Sequence, residues 1–259
     1  QPQSEGFYEW MDGVGAHEVI VETPDHYATW ADFDDTQAAC VLDGYRQRIL
    51  ALNRDLRFRY ILVFKNHGAD AGASLDHPHS QIIALPIVPK RVLEEMRGAD
   101  AYFRKHGNCI FCEIIQQEMQ NRCRLVMENS DFLAIEPFAA RFPYETWILP
   151  KHHEAHFETL DRERLQRLAV LFRDVLERIK TRLNDPPYNF MLHTSPIHPP
   201  EELLGYHWHL EITPKLTRVA GFEWGTGFFI NPMPPELAAE ILRKDDSVAT
   251  QQSLHSVNA

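Results

Sequence analysis

The sequence predicts an α+β chain built from two tandem repeats, with antiparallel sheets and packed helices. Two observations carry this. The order strand, helix, strand, loop, strand occurs twice along the chain, and the histidines that punctuate it recur at nearly constant offsets. His153 follows His26 by 127 residues, and His207 follows His77 by 130. Two offsets that differ only by a few loop residues are the mark of an internal duplication.

In the first copy, residues 18–22 (Glu-Val-Ile-Val-Glu) form a strand that ends in Thr23-Pro24-Asp25-His26. A helix follows the acidic start Asp34-Asp35, with Ala38, Val41, Leu42, Tyr45, Ile49 and Leu52 at helical spacing. Residues 59–65 are rich in β-formers and give a second strand; a glycine-containing loop over 66–76 leads to a third at 80–85.

The second copy repeats this order. Residues 145–149 form a strand ending in Pro150-Lys151-His152-His153. A helix then carries Leu165, Leu168, Phe172, Val175, Leu176, Ile179 and Leu183 on one face. A strand at 188–193 and a loop containing prolines lead into His207-Trp208-His209-Leu210-Glu211-Ile212. The first repeat is placed at 1–100, the second at 101–244 and a polar tail at 245–259. Cys109-x-x-Cys112, read as a loop, precedes the strands of the second copy, so symmetry predicts a matching thiol pair upstream of Gln1.

The chemistry concentrates at Ser74-Leu75-Asp76-His77-Pro78-His79-Ser80-Gln81. Alternation along a strand puts His77, His79 and Gln81 on one face. A neutral imidazole attacks phosphorus readily near pH 7 and gives an N–P bond labile enough to pass the group on. Gln81 can hold a phosphate oxygen, and Asn66, Gly72 and Ser74 sit on the preceding loop, where their donors approach the same phosphate. The alternative is a strand end with two structural or metal-binding histidines. Cys109, Cys112, His153 and His207 make a Cys2His2 set, for which zinc is the natural occupant. Two buried thiols beside unrelated histidines is the competing account, and His152, His156 and His193 lie near enough to complicate the ligand choice. In the second copy Trp208 and Glu211 replace the proline and the glutamine, so His209 reads as structural.

Composition narrows the partners. With 37 acidic against 26 basic residues the net charge is −11, which opposes nucleic acid; small phosphorylated ligands remain open, since backbone N–H groups can bind them. No apolar run is long enough for a membrane span. Four cysteines in 259 residues fit a reducing cytoplasm better than a disulfide framework.

The string His77-Pro78-His79-Ser80-Gln81, with Asn66, Gly72 and Ser74 upstream, Pro24-Asp25-His26, and in the second copy Cys109-x-x-Cys112, His153 and His207-x-His209, resembles the galactose-1-phosphate uridylyltransferase family. That family is the transferase branch of the histidine-triad superfamily, and the resemblance spans nearly the whole chain. It implies two histidine-triad-like repeats and His79 as the nucleophile of a nucleotidyl-histidine intermediate. By the same resemblance His26 and His77 are ligands of a first metal, and Asn66, Gly72, Ser74 and Gln81 hold the nucleotide phosphates. The implied reaction moves a nucleoside monophosphate from a nucleotide-sugar to a sugar 1-phosphate or to phosphate, in a homodimer with structural zinc. UDP-glucose:galactose-1-phosphate uridylyl transfer is the leading expectation, and ADP-glucose phosphorolysis the alternative. The superfamily's hydrolases carry a third histidine at the position of Gln81; a binding amide there favours transfer over hydrolysis. A nucleotide hydrolase and a zinc-stapled binding module are the remaining readings. Residues 219–231 depart from the uridylyltransferases in lacking their lysine and Tyr-Glu pair, and resemble relatives that act on ADP-sugars. Glu223 in that stretch is read as a hydroxyl acceptor, or equally as a surface-loop carboxylate.

Overall fold

The computed structural model describes residues 3–198 and 204–244. The polar tail expected at 245–259 lies outside the described residues, as does part of the proline loop before His207. An exposed hairpin, β1 (Gln3–Glu5) and β2 (Tyr8–Trp10), comes first. The first repeat supplies β3 (Ala16–Val21), α1 (Asp35–Leu52), β4 (Tyr60–His67) and β5 (His79–Leu85). Two helices follow, α2 (Lys90–His106) and α3 (Ile110–Asn121); the division expected at residues 100 and 101 falls inside α2. Then come β6 (Leu125–Glu128), β7 (Phe132–Ile135), β8 (Thr146–Pro150), α4 (Arg162–Arg182), β9 (Tyr188–His193) and β10 (His209–Pro214). Two shorter helices, α5 (Gly221–Thr226) and α6 (Pro235–Arg243), end the described chain.

Both long helices begin where an aspartate caps them. Asp34 accepts the Gln37 N–H at 2.7 Å and Asp161 the Arg164 N–H at 2.8 Å, each satisfying a donor left open in the first turn. The buried residues of α1 are Ala38, Val41, Leu42, Tyr45, Ile49 and Leu52, the set the periodicity selects. α1 and α4 lie side by side on one face of the sheet. There they bury Leu42, Ile49, Leu168 and Phe172 completely, against Ile82, Phe190 and Leu210 of the strands. Each such side chain contributes about 1.5–3 kcal/mol over an exposed one.

Eight strands form one antiparallel sheet in the order β3-β5-β4-β9-β10-β8-β7-β6. The two copies therefore meet edge to edge, through β4 and β9. Phe64 pairs with Gln81 in the first copy and Met191 with Glu211 in the second, so Phe64 and Met191 are equivalent positions. They also face each other directly across the β4/β9 join. A local two-fold axis consequently passes between them, and it carries His79 onto His209, Gln81 onto Glu211 and Asn66 onto His193.

The opposite face of the sheet breaks this symmetry. Over the second copy, Ala99 of α2 and Cys109, Phe111 and Ile115 at α3 cover Leu133, Ile135 and Leu149 in a second core. Over the first copy that face stands open, with Val19 52% and Val21 63% exposed. The thiol pair expected on a loop is helical: Cys109 is the N-cap of α3 and Cys112 lies in its first turn. Phe111 and Ile115 bury one face of that turn, which is why the segment folds as a helix.

Candidate functional site

His79 opens β5 where three chain segments converge. The strand β3 pairs Val21 with His79. Glu22 N–H donates to the Pro78 carbonyl at 3.1 Å, and His77 Nε2–H donates to the Thr23 carbonyl at 2.8 Å. His79 Nδ1–H donates to the His77 carbonyl at 2.8 Å. A carbonyl only accepts, so Nδ1 carries the proton and Nε2 keeps its lone pair. Among the described residues no group bonds that nitrogen. The His79 ring is buried, yet it borders a cavity of about 220 Å³ lined also by Lys65, Asn66, His67, Gly68 and His77.

The loop before His77 is held from the other copy. Asn189 on β9 donates to Asn66 Oδ1 and to the Ala71 carbonyl, both at 2.8 Å, and Asn66 Nδ2 reaches the Gly72 carbonyl at 3.4 Å. Gly68 and Gly72 take positive φ, +80° and +87°, and a Cβ on Gly68 would meet Pro187 at 3.0 Å. Asn66 lines the cavity; Gly72 and Ser74 lie on the loop that borders it. Gln81 follows on the open face of the sheet, where its Oε1 pairs with His17 Nε2 at 2.8 Å. Glu223 stands apart from this set. It lies on α5, does not line the cavity, and its Oε2 accepts the Ala220 N–H at 3.0 Å as a helix cap.

Sequence reading missed what lies beneath His79. Glu22 and Lys65 are 1% and 3% exposed and form an ion pair at 2.6 Å. Trp30 Nε1 donates to Glu22 at 2.8 Å, Tyr45 OH at 3.2 Å, and the Ser80 hydroxyl also donates to it. Burial pulls the Lys65 ammonium below its usual range, against the opposing pull of Glu22. Lys65 Nζ also donates to the His79 carbonyl at 2.9 Å. The only local signal was a charged residue at the end of each of two apolar strand runs, which reads equally well as a strand entering solvent.

The metal candidate lies in the second copy. One ligand atom from each of Cys109, Cys112, His153 and His207 comes within 4.8 Å of the others. Cys112 Sγ is 3.5 Å from His153 Nδ1 and 3.6 Å from His207 Nδ1, and Cys109 Sγ is 4.0 Å from His207 Nδ1. Neighbouring sulfur and nitrogen ligands around a tetrahedral zinc stand about 3.6 Å apart, so the residues fit. His207 Nε2–H donates to the Pro150 carbonyl at 2.9 Å, which leaves Nδ1 deprotonated and facing the thiols. The hydrogen bond from Cys112, opposed by burial and aided by His207, holds the Cys109 thiol well below its usual range.

The first copy repeats the histidine half of this arrangement. His26 Nδ1 lies 3.1 Å from His77 Nδ1, and His77 Nε2 is bonded to Thr23 just as His207 Nε2 is to Pro150. Among the described residues no thiol joins them.

At the position equivalent to His79 the chemistry is different. His209 Nδ1–H donates to the His207 carbonyl at 3.2 Å, as in the first copy, but its Nε2 lies 3.7 Å from Glu95 and 3.9 Å from Glu211. Phe111 and His193 stack on its ring, at 5.1 Å and 4.7 Å between centroids. Both nitrogens of His193 face carboxylates, Glu95 at 3.2 Å and Glu211 at 3.5 Å, and Arg141 completes the cluster with Glu211 at 2.6 Å. Glu95, His193 and His209 also have metal-ligand spacing, and both histidines there already face carboxylates. The hollow here, about 770 Å³, is larger than that at His79. Size and chemistry disagree, and a free imidazole nitrogen outweighs volume.

The chain is similar to known proteins in both sequence and fold. Models of the galactose-1-phosphate uridyl transferase N-terminal and C-terminal domains match residues 2–89 and 95–245. An ADP-glucose phosphorylase of Arabidopsis thaliana is 42% identical over 245 residues, 94% of this chain and 68% of that protein. A galactose-1-phosphate uridylyltransferase of Thermotoga maritima is 32% identical over 251 residues, covering 94% and 78%. Among solved structures, an Arabidopsis thaliana ADP-glucose phosphorylase with bound ADP-glucose superimposes with a TM-score of 0.84 at 42% identity, covering 90% of this chain and 74% of that one. A uridylyltransferase superimposes with a TM-score of 0.87 at 33% identity, covering 97% and 80%.

Proposed function

The chain belongs to the galactose-1-phosphate uridyl transferase family and is a nucleotidyltransferase, and from that premise we propose that His79 is its nucleophile. One observation carries the assignment: the Nδ1–H bond to the His77 carbonyl leaves Nε2 unprotonated beside a cavity. Nε2 attacks the α-phosphorus of a nucleotide-sugar. The bond from that phosphorus to the bridging oxygen breaks, and the sugar 1-phosphate leaves with its electron pair. An oxygen of the acceptor then attacks the same phosphorus, and the N–P bond returns its pair to Nε2. The leaving group is already a stable anion, so no acid is needed, and Gln81 suffices where hydrolases keep a third imidazole. Asn66, Gly72, Ser74 and Gln81 hold the phosphates, with Asn66 itself fixed by Asn189.

For the acceptor and base the relatives support one reading over the other. Identity of 42% to an ADP-glucose phosphorylase, together with the missing lysine and Tyr-Glu pair in residues 219–231, favours an ADP-sugar donor and phosphate as acceptor. The uridylyl reading, UDP-glucose with galactose 1-phosphate, rests on the 32% relative. Cys109, Cys112, His153 and His207 would hold zinc as a structural ion, since four protein ligands leave no position open. His26 and His77 would be two ligands of a first metal, and Glu223 on α5 remains a candidate sugar contact. The division into two repeats, a homodimer and a reducing cytoplasmic setting belong to the same reading. Exposed Trp224, Phe228 and Ile230 offer an apolar surface for a second copy, and all four cysteines are free thiols. No helix among the described residues is long and apolar enough to cross a membrane.

The test is incubation with ADP-glucose and UDP-glucose, each labelled in the nucleoside, followed by acid treatment. Acid-labile label on His79 from one donor identifies both nucleophile and base. Label from neither donor refutes the assignment.

A further inference from the structure

The pairing of β4 with β5 runs from Tyr60 with Leu85 to Phe64 with Gln81 and stops two residues short of His79. β4 continues to His67, but its partner there is β9 alone, Asn66 facing Asn189 and His67 facing Tyr188. The two strands separate at their ends, and the cavity at His79 occupies the gap. On the β4 side, therefore, no ladder hydrogen bond fixes the backbone of His79. The Lys65 ammonium takes that place, donating to the His79 carbonyl at 2.9 Å.

We propose that Glu22 and Lys65 form a positioning pair that sets the imidazole of His79 for attack. The inference rests on His79 being the nucleophile. Lys65 fixes the carbonyl of His79, β3 fixes the same residue through Val21, and the His77 carbonyl fixes Nδ1, so backbone and ring are restrained together. Glu22 in turn holds Lys65 at 2.6 Å and accepts from Ser80, the residue next to His79. Trp30 and Tyr45 anchor Glu22 to the helix side of the sheet. A lysine tether reaches where a backbone ladder cannot, since a continued ladder would close the cavity. Lys65 is among the residues that border that cavity, and Glu22 balances its charge. Neither residue transfers a proton or a phosphoryl group in this scheme. At the equivalent position of the second copy, 127 residues on, Leu192 replaces Lys65.

Removing one partner would strand a buried charge and unfold the site, so both are neutralised together. The double variant Glu22→Gln, Lys65→Met has no donor for the His79 carbonyl; Glu22→Gln, Lys65→Gln keeps an uncharged donor. Single-turnover labelling of His79 and steady-state kinetics are measured on the whole chain with the wild type alongside. The methionine variant should lose about 100-fold in labelling rate and kcat with KM changed less than threefold, the usual loss for a misplacement on the order of 1 Å. The glutamine variant should recover at least tenfold of that loss. Equal rates for the two variants, whether both are like the wild type or both equally slow, overturn the proposal. So does a parallel loss of kcat and of substrate affinity. If the methionine variant does not fold, the glutamine variant decides alone: a kcat more than about tenfold below that of the wild type, or a fall in kcat matched by a rise in KM, overturns the pair's role. Wild-type protein that takes no label overturns instead the assignment of His79.

Discussion

His77 and His79 stand in opposite tautomers, each set by one backbone carbonyl. His77 donates from Nε2 to Thr23 and turns Nδ1 towards His26, while His79 donates from Nδ1 to His77 and frees Nε2. Two residues apart, one imidazole turns its unprotonated nitrogen to His26 and the other towards the cavity, as the proposed roles of ligand and nucleophile require. His79→Gly should therefore abolish covalent labelling and lower transfer by at least about a thousandfold, with nucleotide-sugar affinity kept within an order of magnitude. Radiolabel retention and equilibrium binding measure the two halves of that statement. Retained label in the variant would place the nucleophile elsewhere.

In the proposed mechanism Gln81 is the residue that favours transfer over hydrolysis. Its amide binds but cannot give a proton, whereas an imidazole there would assist attack by water. Gln81→His should raise mononucleotide release in the absence of acceptor by about tenfold, while transfer to acceptor falls. Product chromatography with and without phosphate reads both. An unchanged hydrolysis rate would show that water is excluded by other means.

The thiol and imidazole cluster joins the start of α3, the turn after β8 and the entry to β10. Cys112→Ser should cost one equivalent of zinc by elemental analysis. It should also lower the midpoint of thermal unfolding by about 5 °C or more, since metal affinity at a structural site is folding free energy. Addition of a strong chelator should lower the midpoint of the wild type by more than that of the variant. Zinc content equal to that of the wild type would exclude Cys112 as a ligand.

The carboxylate cluster of the second copy predicts a pH dependence. Burial lowers the His193 pKa, but Glu211 and Glu95 outweigh it and raise the group to about 10. In the unfolded chain it titrates near its ordinary value of about 6.5. The folded state binds this proton more tightly, so its contribution is complete below about pH 6.5 and is lost as pH rises towards 10. His193→Gln removes that contribution, so the stability gap between wild type and variant should be greatest near pH 6 and shrink steadily to pH 10. Denaturant unfolding at pH 6, 8 and 10 checks it; a gap independent of pH would mean that His193 is neutral in the fold.

Much of this was legible along the chain. The buried faces of α1 and α4, the strand order within each repeat and the residues of the Cys2His2 set all follow from spacing, because each is a local periodicity or a matter of ligand type. Other parts were not. α3 was read as a loop because its cysteines were weighed and the apolar positions Phe111 and Ile115 were not. Glu223 was read as a hydroxyl acceptor or equally as a surface-loop carboxylate, and its place on α5, where it caps the helix, was not visible in the sequence.

The sequence by itself determined that there are two copies, that each bears a His-x-His at the entry to a strand, and that one retains a glutamine where the other has a glutamate. Only the tertiary structure decided what separates them. At His79 the strands part and leave a cavity, with a buried pair whose members lie 43 residues apart beneath that histidine. At His209 a carboxylate and an aromatic roof, brought by α2 and α3, enclose the matching nitrogen, and Glu95 reaches His193 across 98 residues. Hydrophobic periodicity is written within a few turns of chain, whereas the partner of a buried charge is fixed by strand register and helix placement. The same motif therefore leaves an imidazole nitrogen unpaired beside a cavity in one half and sets it among carboxylates in the other.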